Sequence, residues 1–455
     1  MGSPSLLRFA LPLMASGVLM SVEWPLLNMG MARLPHPELY LAAFGLAFSL
    51  GVLYESPIII LLDTSVAISR DWPSYLMMRR FTLWLLGVTI AVGLLLFWTP
   101  LYDLITKTLM GIPPHIAEAA RWPMRILMAW PIPIGWRRLH QGVLIRLGQT
   151  RPIIVGTSAR ILLVIGILLA GAVMGVQNSA LLGSAALLAG VTLESVLITL
   201  AANPAMHTGL RRAAGETVPT FRQLWQFYQP LGMTILIQQF SRPVITAGIA
   251  ASARPELSLA AWPVALSVTG LLTGPLWSLQ QITVALSDEP ERQRDVHRFA
   301  LIMGAIVCAL LLLVSLTPLA SLVLVGVLGV STPVRDVAVW GLRILALQPI
   351  GLALQNFLRG VLIHAGHTVE VRRAMVSGVV AICAVVGLGV VTRALPGLAL
   401  GALSLLAGVA VETWRLALAA ARTAGIRAIP ATAAGFDRPE GGAYNPGRMG
   451  DDEDE

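Results

Sequence analysis

One long apolar pattern is written twice in this chain, at a constant offset of 218 residues. Phe9, Pro12 and Leu13 return as Phe227, Pro230 and Leu231, and Pro37-Glu38-Leu39 returns as Pro255-Glu256-Leu257. Thr99-Pro100-Leu101, Arg125-Ile126-Leu127 and Gly142-Val143-Leu144-Ile145 have copies at Thr317, Arg343 and Gly360, and Glu194 falls on Glu412. The register runs without a gap from Phe9 to about Ala202, so shared composition does not explain it. Whatever fold the first half takes, the second half must be able to take it too.

That fold belongs in a bilayer. The chain is 56% apolar and only 12% charged, with a mean hydropathy of +0.75. Soluble domains carry about 25% charge. Apolar runs of about 20 residues recur throughout, each long enough to cross roughly 30 Å of hydrocarbon. Only helices and closed barrels can satisfy their backbone in lipid, and the runs lack the alternation of a barrel. The reading is therefore an all-α membrane protein with twelve transmembrane helices in two six-helix bundles. The first six spans are expected near 6–32, 39–66, 81–99, 120–146, 153–174 and 180–203. The second six are expected near 224–250, 257–285, 299–317, 338–364, 374–392 and 396–420. An even number of spans returns each copy to the same side, which makes the repeat parallel rather than inverted.

The expected domains are an N-lobe at 1–203, a cytoplasmic linker at 204–221, a C-lobe at 222–421 and a disordered tail at 422–455 ending in five acids. Basic residues set the orientation. One side collects Arg8, Arg70, Arg79, Arg80, Arg146, Arg151, Arg211, Arg212, Arg222, Arg292, Arg294, Arg298, Arg372 and Arg373. The other holds only Arg33, Lys107, Arg121, Arg254, Arg335 and Arg393. The positive-inside bias places both termini in the cytoplasm of an inner (cell) membrane. It also accounts for the net charge of +8, so nucleic acid is not expected as a partner. Cys308 and Cys383 read as inert thiols within spans. The chain has no Walker loop, HExxH or Cys/His metal spacing. Neither an enzyme nor a cofactor or metal is expected.

Charges inside spans are costly, so they mark cavities or partners. Arg125/Arg343 and Glu194/Glu412 occur in both copies and read as architectural. Charges present in one copy are the candidates for function. Glu23 stands where the copy has Ser241, Glu55 where it has Thr273, and Asp63 where it has Gln281. Trp24 is replaced by Arg242; Arg137, Arg138 and His140 become Gln355, Asn356 and Leu358, while Arg359 stands for Gln141. A carboxylate such as Glu23 or Glu55 can, in a cavity, load and release a proton during transport, or, buried and paired, close a polar network. Asp63, near a helix end, is expected to be solvated. Arg137, Arg138, His140, Arg242 and Arg359 would together give the cavity a positive field suited to an anion. Arg137 and Arg138 have snorkelling to the interface as a competing role. Gln348, Gln355 and Arg359 share one helical face and form the expected C-lobe lining.

At several of these residues the chain resembles the progressive ankylosis family, within the MOP superfamily that also holds the MATE multidrug exporters. The matching stretches are Gly45-Leu46-Ala47 with Ser49-Leu50 and Pro57, His140-x-Gly142 with Leu144, and Ser241-Arg242-Pro243. Leu342-Arg343-Ile344 with Pro349 and Ser404-Leu405-Leu406-Ala407-Gly408 with Glu412 complete them. The resemblance implies two six-helix bundles about a V-shaped cavity, alternating access, and export of small anions such as citrate, pyrophosphate or nucleotide. It adds Asn28 to the expected solute-binding residues. The chain departs from the family around Asn28, where Trp24 and Met29 replace acidic and basic residues. The MATE branch would imply H+- or Na+-coupled drug export through N-lobe acids, and the superfamily also contains lipid flippases. A small-molecule substrate, a coupling ion, the lipid bilayer and a monomeric state complete the expectations.

Overall fold

The computed structural model describes residues 4–147, 149, 151–210, 218–252, 254–286, 290–393 and 395–424. Helix is the regular structure throughout the described residues. The first half contains α1 (Pro4–Ala32), α2 (Pro37–Ile59), α3 (Leu61–Ile68), α4 (Trp72–Trp98), α5 (Leu101–Asp103), α6 (Pro114–Leu127), α7 (Pro131–Arg146), α8 (Arg151–Val173) and α9 (Ser179–Gly209). The second contains α10 (Phe221–Ala250), α11 (Pro255–Thr273), α12 (Leu279–Leu286), α13 (Pro290–Leu316), α14 (Leu319–Ser321), α15 (Thr332–Leu345), α16 (Gln348–His364), α17 (Thr368–Thr392) and α18 (Gly397–Ala424).

Small irregularities recur 218 residues apart. Left-handed backbone occurs at His36 and Arg254, at Gly111 and Gly329, and at Gly175 and Arg393. A π turn occupies Leu104–Leu109 and again Leu322–Val327. Arg125 Nε donates to the Phe97 carbonyl at 3.4 Å, and Arg343 Nε to the Ser315 carbonyl at 3.2 Å. Arg125 also lies over the Trp122 ring and Arg343 over Trp340. Gly142 and Gly360 let the paired helices touch. A methyl group at Gly142 would lie 3.0 Å from the Leu62 carbonyl oxygen, and one at Gly360 would lie 2.9 Å from that of Gln280.

Eight helices among the described residues are long and apolar enough to cross a membrane. A ninth arises if α15 and α16, bent by 44° at their junction, are taken as one span. The expected span 120–146 is likewise two helices, α6 and α7, parted at Met128–Trp130 ahead of Pro131. Trp130 keeps helical angles, but Pro131 has no N–H to give the Leu127 carbonyl and its ring crowds that oxygen, so the helix breaks there. The expected span 81–99 begins earlier, at Trp72, where the Asp71 side chain caps Ser74 N–H at 2.8 Å. Pro57 leaves the Leu53 carbonyl without its usual donor, and Ser56 Oγ supplies one at 2.7 Å. The chain then bends at Ile60 between α2 and α3. Part of the expected linker is helical, since α9 runs to Gly209; residues 211–217 and the tail from 425 onward lie outside the described residues.

The halves meet along α1 and α2 of one and α10 and α11 of the other. Topology places the turns at Arg70, Gln149 and His367 on one face, called here the basic face, and those at His36, Gly175 and Arg254 on the opposite one. On the basic side Tyr228 Oη donates to the Pro57 carbonyl, and Phe81 packs among Phe221, Trp225 and Tyr228. On the opposite side Ser331 Oγ donates to Glu38 at 2.7 Å, His115 Nε2 lies 3.2 Å from Glu256, and Arg33 donates to the Val327 carbonyl.

Candidate functional site

The buried charges of the first half form one connected network. Arg160 of α8 donates from Nε to Glu23 Oε1 of α1 at 2.7 Å and pairs with the second oxygen through Nη2. Its Nη1 reaches Glu194 Oε2 of α9 at 3.2 Å. Glu194 also takes Arg137 Nη1 from α7 and Thr157 Oγ1 from α8, the latter at 2.8 Å. Two acids and two arginines thus cancel while tying four helices together. In a low-dielectric interior such charges persist only when paired and hydrogen-bonded.

The second half solves the same problem differently. Glu412 of α18, the counterpart of Glu194, is held by Arg359 of α16 through Nε at 2.7 Å and Nη2, with Gln355 adding a hydrogen bond. Arg359 stands one helical turn beyond the counterpart of Arg137, yet points at the equivalent acid. Where Arg160 would be, the chain has Gly378, and a methyl group there would lie 3.1 Å from Glu412 Cβ. Glu23 has become Ser241. The buried acid of the second half is therefore matched by one arginine, with a closely packed glycine in the place of the other.

The expected site residues separate accordingly. Glu23 and Arg359 are buried in ion pairs, and Gln355 supports one of them. His140 is buried; its Nδ1 lies 2.8 Å from the Trp136 carbonyl and its Nε2 3.2 Å from Tyr75 Oη. A carbonyl only accepts, so Nδ1 carries the proton and Nε2 receives the Tyr75 hydroxyl. Asn28 is fully buried and donates with Trp24 to one acceptor, the Pro263 carbonyl across the seam, at 3.1 and 3.2 Å. Asn28 Oδ1 and Gln348 Oε1 are buried and have no hydrogen-bond partner among the described residues.

Four of the charges singled out in one copy remain outside these pairs. Glu55 of α2 is buried and accepts no hydrogen bond among the described residues, although the charges of Arg138 and Arg137 act on it. Arg138 keeps a buried Nε without a partner among the described residues. Arg242 of α10 is exposed, and its polar partner is Gln239 Oε1 at 2.9 Å. Asp63 is exposed, as its position near a helix end suggests. Arg160 was absent from the sequence candidates, although it meets the same criterion: a charge in mid-span whose copy, Gly378, has none.

Solved structures with this arrangement of helices span nearly the whole chain. The lipid II flippase MurJ in an inward closed conformation aligns with a TM-score of 0.68 and 13% identity, covering 90% of this chain and 87% of its own. A MOP superfamily transporter from Pyrococcus furiosus aligns at 0.65 and 15%, covering 93% and 96%. The eukaryotic MATE transporter AtDTX14 aligns at 0.62 and 15%, covering 93% and 98%. The fold is that of the MOP-superfamily transporters. Residues 213–424 also match the family model of the progressive ankylosis protein (ANKH). The MOP-type match thus covers both halves, and the ANKH match covers the half that carries Arg242, Arg359 and Glu412.

Proposed function

We propose that this chain is a secondary active exporter of a small organic or phosphorylated anion, of the citrate or pyrophosphate kind, working by alternating access. Its two lobes, 1–203 and 222–421, would each contribute six spans. The nine helices or helix pairs long and apolar enough to cross become twelve spans with α1, α10 and the α6–α7 pair. The basic face is cytoplasmic on this reading, in keeping with the positive-inside bias.

Charge bookkeeping carries the proposal. Glu23, Glu194 and Glu412 are matched by Arg160, Arg137 and Arg359, while Arg242 stands exposed with only an amide beside it. A lone guanidinium in a concave, poorly solvated wall attracts a carboxylate or phosphate and can bind it bidentately. Glu55 is the proton-responsive group of this scheme, with Arg138 as the nearby charge that responds to its state. The Pyrococcus furiosus transporter offers a parallel: reverse polarity of its binding pocket suggests a different function.

A second reading rests on Glu55, a buried acid without a hydrogen bond among the described residues, which in a MATE-like antiporter would bind the coupling ion or a cationic drug. Flux in proteoliposomes separates the two. Uptake of labelled citrate or pyrophosphate lost in Arg242→Ala supports the anion exporter. Drug efflux that Arg242→Ala leaves intact and Glu55→Gln abolishes overturns it. Lipid translocation without solute flux overturns both.

A further inference from the structure

Away from the seam, on the basic side of the second lobe, a groove of about 640 Å³ opens between α10, α17 and α18. Met233 and Ile237 of α10 and Val376 of α17 give it an apolar wall, and Arg372, Arg373 and Arg415 bring three guanidinium groups to it. Arg373 is partly compensated by Glu370, whose Oε1 accepts from its Nη1 at 2.6 Å. Arg372 and Arg415 are exposed and have no acidic partner among the described residues. Met233 and Arg242 are nine positions apart on α10, which at 3.6 residues per turn places them on opposite sides of the helix. The groove is therefore separate from the cleft proposed above for Arg242.

Its counterpart in the first lobe carries no such charge. Arg372, Arg373 and Arg415 correspond to Ile154, Val155 and Leu197, 218 residues earlier. Ile154 and Val155 are exposed apolar side chains, as a surface against lipid tails requires. The same position on one fold is thus greasy in one copy and triply basic in the other. A residual charge of +2 beside an apolar wall, at the level where the basic face begins, matches a phosphate group attached to a hydrocarbon chain. A free inorganic anion would leave the wall unused. Basic pockets between spanning helices on the cytoplasmic side are where acidic headgroups dock.

We infer that this groove is a binding site for a phosphate-bearing amphiphile, the headgroup of an anionic phospholipid, distinct from the solute cleft. Arg372 and Arg415 hold the phosphate, and Met233, Ile237 and Val376 hold the first part of the acyl chain.

The test uses full-length protein in detergent, titrated with dioleoyl phosphatidylglycerol, dioleoyl phosphatidylcholine or inorganic phosphate, with thermal stability as readout, because a ligand of the folded state raises apparent stability. Phosphatidylglycerol should stabilise the wild type and phosphatidylcholine should not. Arg372→Gln/Arg415→Gln should raise the half-saturating lipid concentration roughly 10- to 30-fold for the two cations lost. Arg372→Lys/Arg415→Lys should retain most of the effect. Arg422→Gln, which removes one exposed charge at the end of α18, should respond as the wild type does. If inorganic phosphate competes with the lipid, the phosphate group is confirmed as the recognised moiety; if it does not, recognition of the whole amphiphile is confirmed. An equal response of the wild type and the Gln double variant, or no response to phosphatidylglycerol in the wild type, overturns the inference. Should the Gln variant be poorly folded, Val376→Trp, which fills the groove and leaves every arginine, must weaken lipid binding as well.

Discussion

Glu194 and Glu412 occupy the same place in the two halves and are neutralised from different directions. The first is clasped by Arg137 and Arg160 from α7 and α8; the second by Arg359 from α16, supported by Gln355. Around the first, a further acid, Glu23, completes a four-charge network that binds α1 into its lobe. Around the second, Ser241 and Gly378 have removed both additional charges. The difference teaches that duplication fixed the position of the acid, and each lobe then found its own arginine. It also leaves α10 with a cation, Arg242, at the point where α1 has an indole committed to the seam through Pro263.

The comparison can be broken at its strongest point. Glu412→Gln strands one buried arginine and should cost about 3 kcal/mol, whereas Glu194→Gln strands Arg137 and also takes one of the two acids from Arg160, and should approach about 5 kcal/mol. Thermal unfolding in detergent ranks them; equal losses would mean that Arg160 is adequately held by Glu23 alone. A double-mutant cycle on Glu23→Gln and Arg160→Met sharpens the contrast further. The double variant imitates the uncharged counterpart lobe, so it should be more stable than the sum of the singles by about 1–3 kcal/mol. Additive losses would show that the pair is not coupled.

The smallest effect concerns pH, at a carboxylate, Asp103, whose counterpart in the second lobe is the uncharged Ser321. Hydrogen bonds from Lys107 and Arg121 hold Asp103 below the usual carboxylate range. A carboxyl lowered in the folded state stabilises above its unfolded pKa of about 4 and loses that contribution as pH falls through its folded value. The melting temperature should therefore drop more steeply below about pH 4 in the wild type than in Asp103→Asn. The corresponding residue is Ser321, so Ser321→Ala should leave the slope unchanged.

The sequence carried most of the fold because element boundaries are set by local prolines, caps and apolar length, and those are copied at the 218-residue offset. Its one-copy comparison of charges selected Glu23, Glu55 and Arg242 for the same reason. It left the partners illegible. Glu23 meets Arg160 across 137 positions, and Arg359 meets Glu412 across 53, and no local spacing encodes either. Gln355 and Arg359 share a helical face as expected, and what that face addresses is Glu412. His140 read as a cavity residue until Tyr75, 65 positions away, and Trp136 took both its nitrogens.

Whether Arg242 lines a water-filled cleft can be read directly. With Cys308 and Cys383 replaced by Ala, Arg242→Cys in proteoliposomes is exposed to a membrane-impermeant thiol reagent from either side. The predicted result is labelling of the introduced thiol from the aqueous phase. A thiol at this position that stays unlabelled from both sides and reacts only with a lipid-soluble reagent would lie against the bilayer and contradict the cleft.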